Sequence, residues 1–280
     1  MELFRDRTPS TMNVGKKVRL NRLFSHPSGR MFAVAVDHFI NYRLDTLPAG
    51  LRNISRTLEL IAAGQPDAVT MHRGLAVSAW QPYAGKIPFI LQSSLLRPDD
   101  CFHEQIADPE DAVRLGADAF AVATFVRGPS EGHYLKTLAD CVKAAARFEM
   151  PVITHIYPRK FGADVSISFE PEDVAWAVRC ALECGVDVIK VPYCNDLPAY
   201  AQIVSECPLP IVAAGGPKAD SFEAALTMLQ DVVNSGAKGA TVGRNVWGLP
   251  QITEAVIAVK AVIHGAKNPR DAMKLAGIAP

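Results

Sequence analysis

Eight short apolar runs recur along the chain, at residues 31–36, 68–71, 87–91, 119–123, 152–156, 187–191, 210–213 and 239–242. Most are flanked by Gly, Pro or Asp and are followed by stretches with helical spacing. Continuous apolar runs of this length suit strands buried on both faces. The clearest intervening helix is predicted over residues 171–184. There Val174, Ala177, Val178, Ala181 and Leu182 form an i, i+3, i+4, i+7, i+8 stripe, and Gly185 follows its end. Pro171, Glu172 and Asp173 suit a first helical turn. A second helix is predicted over 221–235, with Ser221 as its N-cap and Gly236 after it.

Strand and helix alternate without antiparallel hairpin signals, which predicts parallel pairing with right-handed crossovers. Eight such units closing on themselves make an α/β fold of the (β/α)8 TIM-barrel class. An open doubly wound sheet is the alternative, but no Gly-x-Gly-x-x-Gly opens a helix after the first strand. Residues 1–280 are read as one domain, with 1–30 an N-terminal extension and the barrel at about 31–265. Within the extension, residues 14–29 mix Lys16, Lys17, Arg19 and Arg22 with Val18, Leu20, Leu23 and Phe24. That pattern predicts a lid over the barrel's bottom or a subunit contact.

Composition narrows the class further. Of 280 residues, 29 are Lys or Arg and 29 are Asp or Glu, so the formal net charge is zero and neither nucleic acid nor a membrane surface is an expected partner. No apolar stretch approaches the roughly 20 residues a membrane span needs. The start, Met1-Glu2-Leu3-Phe4-Arg5-Asp6, lacks a secretory core. The six cysteines are scattered without metal-ligand spacing, and Cys180 and Cys184, four apart on a helix, have no second pair to complete a site. A reduced, cytoplasmic protein without a bound metal is expected.

Candidate chemistry gathers where strands of a barrel end. Lys190 lies within the apolar run Val186-Asp187-Val188-Ile189-Lys190-Val191-Pro192. Burying an ammonium is costly, and burial supplies the neutral amine that attacks carbonyls. The other reading is a strand-end lysine whose head reaches solvent or a carboxylate. Alternation puts His155 and Tyr157 on one face of the preceding strand. There Tyr157 is placed to move protons or, alternatively, to cap the core with its hydroxyl on a carbonyl. Asp37, ending the first strand, is a candidate for holding a substrate hydroxyl or assisting carbinolamine formation, or else for capping the next loop, and His155 is a candidate substrate contact or a hydrogen-bonded core residue. Gly215-Gly216 and Gly243-Arg244 follow the seventh and eighth strands, where barrels build phosphate sites, and Arg244 offers a planar fork to phosphate oxygens. Lys218 and Arg159 are further candidates for that anion, or ordinary solvated charges.

Together with Gly15-Lys16-Lys17-Val18-Arg19-Leu20, Val36-Asp37-His38, Tyr157-Pro158-Arg159, Ala214-Gly215-Gly216-Pro217-Lys218 and Val242-Gly243-Arg244-Asn245-Val246-Trp247, these residues give the chain its likeness. Over about residues 15–265 it resembles the archaeal-type class I fructose-bisphosphate aldolase family, the Schiff-base barrels that include related sugar-phosphate lyases and transferases. The resemblance implies that Lys190 forms an imine, Tyr157 transfers the proton and Asp37 assists. It also implies that Gly215, Gly216, Gly243 and Arg244 hold the phosphate of a small phosphorylated sugar. It further implies that no metal or other cofactor is needed and that a homo-oligomer forms. A carbon–carbon lyase is therefore expected, with transfer to a second acceptor (transaldolase or acyl transfer) and a non-catalytic phosphometabolite-binding barrel as alternatives. Three positions depart from the family pattern. Phe39 replaces the glycine after Asp-His, Gln92-Ser93-Ser94 replaces a His-bearing segment, and Lys160 replaces a glycine after Tyr157-Pro158-Arg159. The first two are expected to reshape the pocket away from fructose bisphosphate, and the third to alter the loop after the fifth strand.

Overall fold

The computed structural model describes residues 13–41 and 47–279, so the reading of Met1 to Asp6 lies outside the described residues. Its centre is a closed ring of eight parallel strands in chain order: β1 Met31–Ala35, β2 Ala68–His72, β3 Phe89–Gln92, β4 Ala119–Val126, β5 Val152–Phe161, β6 Val188–Pro192, β7 Ile211–Ala214 and β8 Gly239–Val242. The β4–β5 pairing and the β8–β1 pairing close the ring, which rules out the open doubly wound alternative.

Each strand is buried on both faces because it packs in two directions. Outward residues such as Phe32, Val69, Leu91, Val122 and Ile189 meet the surrounding helices in one large cluster. Inward residues form a second cluster inside the lower barrel, including Met31, Ala68, Ile90, Ile153, Val188 and Val212. The helix Val14–Leu23 closes that end, its Leu20 and Leu23 joining the inner cluster with Phe24. Lys16 pairs with Asp187 at 3.1 Å and Arg22 with Asp118 at 3.2 Å, so the helix's charges grip the rim while its apolar face plugs the bore. Of the two uses expected for this segment, the structure makes it a bottom lid.

The helix Pro171–Glu183 buries Val174, Ala177, Val178 and Ala181 of its stripe, while Leu182 is half-buried. In the helix Phe222–Asn234, the Ser221 hydroxyl accepts from the Ala224 amide at 3.1 Å, the expected N-cap. Parallel pairing is not the whole of the sheet, however. Ser94–Leu96 pairs antiparallel with His103–Gln105, and the end of β5, Arg159 to Phe161, pairs antiparallel with Val165–Ile167. These arms are three residues long and partly exposed, too short and too mixed to show an alternation in sequence. They matter because both rise over the mouth of the barrel. No helix among the described residues is long and apolar enough to cross a membrane.

Candidate active site

A cavity of about 330 Å³ opens at the C-terminal ends of the strands. Alternation along each strand supplies it with side chains in tiers: Val188, Lys190 and Pro192 follow one another up β6, and Ile153, His155 and Tyr157 up β5. Lys190 lies in register with His155 on β5 and with Val212 on β7. It is 5% exposed and lines the cavity, with Nζ 3.5 Å from His155 Nδ1. The amine therefore points inward, and the reading of a solvent-reaching strand end is excluded.

Gln92 organises the groups facing that amine. Its Oε1 accepts from the Ser94 amide at 3.0 Å, which fixes the orientation of the side-chain amide. Nε2 then donates both hydrogens, one to Asp37 Oδ2 and one to His155 Nδ1, each at 3.1 Å. Because Nδ1 of His155 accepts there, the proton of the neutral ring sits on Nε2. A similar argument sets His72, which donates Nδ1–H to the Gln92 carbonyl at 3.1 Å while Nε2 faces the Asn41 amide nitrogen at 3.3 Å. Sequence reasoning singled out Gln92 only as a departure from a family pattern, and it passed over Asn41 and His72. The signal that could have found Gln92 is an uncharged amide at a strand end inside an otherwise apolar run.

The electrostatics follow from burial and neighbours. Burial alone would raise the Asp37 carboxyl, but facing His38 and Lys190 holds it well below the usual carboxylate range. His38 Nδ1 lies 3.5 Å from Asp37 Oδ1. Its pKa is nonetheless pushed down to about 4, by burial first, with Lys190 and Arg244 adding to the effect against Asp37. Burial, then Lys190, pushes His155 far down as well. At neutral pH the site holds a charged Asp37 and neutral imidazoles beside the amine. Tyr157 lines the cavity above His155 and packs against the cluster of Leu96, Ala123, Phe125 and Tyr134.

The loops after β7 and β8 form the opposite wall. Gly216 has φ +70°, a backbone that side chains other than glycine adopt with strain. A Cβ on Gly243 would lie 2.3 Å from His38 Cε1, so only glycine fits there. Gly215 also lines the cavity, but its amide donates to the Thr241 carbonyl at 2.8 Å, so it contributes close approach and not a donor. Arg244 lines the same wall and donates from Nη2 to the Gly216 carbonyl at 2.9 Å. Asn245 staples the two loops: its amide donates to the Gly215 and Pro217 carbonyls, both at 2.9 Å, and its oxygen accepts from the Ala219 amide.

Three expected contributors are elsewhere. Arg159 is neither an anion contact nor a solvated charge, because its side chain is wholly buried outside the cavity lining. Its donors are taken up by the Pro98 and Arg127 carbonyls, Asp100 and Ser130. It pins the loops above β3 and β4 together. Lys218 is exposed beyond the lining. Phe39, expected to reshape the pocket, is 53% exposed and does not enter it, since the short helix His38–Asn41 turns the ring outward. Lys160 is exposed and lies in the antiparallel extension of β5, paired with Ser166. All six cysteines are unbonded thiols, and no group of three metal-ligating side chains occurs among the described residues.

Comparison with known proteins places this geometry. Residues 31–248 match the DeoC/LacD family aldolase description. A 2-amino-3,7-dideoxy-D-threo-hept-6-ulosonate synthase of Halobacterium salinarum is 32% identical, over 95% of this chain and 98% of its own. A 2-amino-4,5-dihydroxy-6-oxo-7-(phosphonooxy)heptanoate synthase of Streptomyces griseus is 28% identical, over 94% and 96%. Among solved structures, an archaeal fructose-1,6-bisphosphate aldolase with its catalytic lysine covalently bound to the carbinolamine intermediate matches with a TM-score of 0.78. The two are 27% identical, over 89% of this chain and 100% of that one.

Proposed function

The chain belongs to the class I, Schiff-base DeoC/LacD family of aldolases, and on that premise we propose that it cleaves or forms a ketose phosphate through an imine on Lys190. The observation that carries this reading is the single cavity shared by the buried Lys190 amine, the Tyr157 phenol and the glycine–arginine wall after β7 and β8.

The phosphate rests against Gly216, Gly243 and Arg244, and the ketone is thereby held beside Lys190, so that part of the barrier is met by positioning. Unprotonated Lys190 adds to the carbonyl carbon. The proton it sheds passes to the alkoxide formed on the carbonyl oxygen, which gives the neutral carbinolamine. The carbinolamine then loses water, with Tyr157 supplying the proton, and leaves an iminium beside the Asp37 carboxylate. The bond between the carbons α and β to that iminium breaks, its electrons pass into an enamine, and Tyr157 takes the proton of the β hydroxyl. Reprotonation of the enamine and hydrolysis release the second fragment and restore the amine.

The names of two relatives support a phosphorylated donor half, whereas the 3,7-dideoxy name of the Halobacterium salinarum product places no phosphate on carbon 7. Fructose 1,6-bisphosphate and the 6-oxo-7-(phosphonooxy) product share a ketone flanked by a phosphorylated carbon and a hydroxylated one, which is the pattern the two walls suit. Because both curated relatives are named synthases, carbon–carbon bond formation is the direction assigned.

Dihydroxyacetone phosphate followed by borohydride tests the scheme. Intact-mass and peptide analysis should locate one reduced adduct on Lys190, and Lys190→Ala should lose it while retaining its melting temperature. A folded protein that binds the phosphate yet yields no adduct would overturn the reading.

A further inference from the structure

The cavity has two unlike ends. In the closed strand order, β3, β4 and β5 stand across the barrel from β7, β8 and β1. A ligand with its phosphate on the β7–β8 wall and its ketone at Lys190 must therefore send its remaining carbons toward the loops after β3 to β5. That end is built from Leu96 and Pro98 after β3, Phe125 on β4, and Ile167 and Phe169 beyond the β5 extension, with the uncharged Ser166 hydroxyl at its exposed rim. Leu96 and Phe125 are each 4% exposed and pack in one cluster, against which Tyr157 and Ile167 lie.

Basic residues in these loops are turned elsewhere. Arg97, between the two lining residues Leu96 and Pro98, stacks over Phe102 at 4.7 Å. Arg127 pairs with Asp173 at 2.8 Å and lies over Trp176, and Arg159 is buried among carbonyls and Asp100. Lys160 is exposed on the hairpin, outside the lining. Among the described residues that line the cavity, the lysine and arginine side chains are Lys190 and Arg244, both at the ketone–phosphate end.

Resting on the proposed function above, we infer that the aldehyde half of the substrate is uncharged and bears an apolar tail, so that the enzyme works on ketose monophosphates. A phosphate or carboxylate set against Leu96, Phe125 and Ile167 would give up its water without a countercharge, whereas a hydrocarbon tail gains from the same walls. The two curated relatives carry a 2-amino acid at the corresponding end of their named products; this chain is expected to discriminate against such a group.

The test is condensation of dihydroxyacetone phosphate with butanal, glyceraldehyde and glyceraldehyde 3-phosphate, run beside the borohydride trap. The expected result is kcat/KM at least about tenfold higher for each neutral aldehyde than for the phosphorylated one. Equal or better use of glyceraldehyde 3-phosphate, with the Lys190 adduct present, overturns this inference and leaves the aldolase reading standing. Absence of the adduct from folded protein overturns both. Ile167→Arg places a countercharge at this end and should raise the phosphorylated-to-neutral ratio about tenfold; a ratio that stays put also counts against the assignment. Lys160→Ala should leave the wild-type ratio unmoved, and a fall in use of the phosphorylated aldehyde would show that a countercharge reaches it after all.

Discussion

The two mouths of this barrel each hold an aspartate (Asp37 buried at the top, Asp67 half-buried at the bottom), imidazoles and a short hydrogen-bond chain, yet the two are arranged differently. At the bottom, Asp67 Oδ2 meets His264 Nε2 at 2.8 Å, His264 Nδ1 meets Ser28 Oγ at 2.9 Å, and Ser28 Oγ meets His26 Nδ1 at 3.0 Å. The His26 and His264 rings stack with centroids 3.8 Å apart. On paper this is an Asp–His–Ser line. Its atoms, however, are also committed to backbone: Asp67 accepts from the Phe32 amide at 2.6 Å, and Ser28 Oγ from the Arg30 amide at 3.3 Å. The lid helix Val14–Leu23 closes the bore beside it. At the top, Asp37, Gln92, His155 and Lys190 make a similar network that faces a cavity instead of a plug. Titratable groups in a hydrogen-bonded chain therefore do not by themselves mark an active site; what distinguishes the upper network is that it ends on a buried amine lining a cavity.

The sharpest way to break the comparison is Tyr157→Phe, which keeps the ring and removes the hydroxyl proposed to carry the proton. It should lower kcat by about 10²–10⁴-fold without moving the melting temperature, and steady-state assays beside thermal melts would show both. Gln92→Leu comes next. Losing its two donations should cost about tenfold or more in kcat/KM and shift the pH–rate profile, because His155 and Asp37 lose the group that orients them. A merely structural role would leave the profile's shape unchanged. At the bottom, Asp67→Ala should have the converse effect: a loss of about 1–3 kcal/mol in stability by denaturant unfolding, with kcat of the folded enzyme preserved.

The smallest effect concerns pH. His38 titrates near 4 in the fold, and His72 and His155 are also lowered, burial being the first cause in each case. The unfolded chain binds protons at these imidazoles as pH falls through about 6.5, while the folded protein resists until much lower. Stability is thus full above about pH 6.5 and is lost as pH falls toward the folded values, with the lowered Asp37 carboxyl acting in the same direction at more acid pH. His26 at the bottom is lowered too, by burial and then His264, but it is only half-buried. Melting temperatures from pH 7.5 to 4.5 should flatten more in His155→Asn than in His26→Asn.

The chain's own pattern determined the eight strands, their parallel order and the shared face of Tyr157 and His155, because strand period and run length are local properties; closure of the ring and the inward face of Lys190 came from the structure. The glycine turns after β7 and β8 were legible for the same reason. Only the tertiary structure decided that Gln92 joins Asp37 to His155 across 55 and 63 positions of sequence, that Arg159 is spent holding loops together, and that Phe39 faces solvent. Each of these depends on which groups stand across the barrel or above it, and a polar side chain's role is set by partners that no local periodicity encodes.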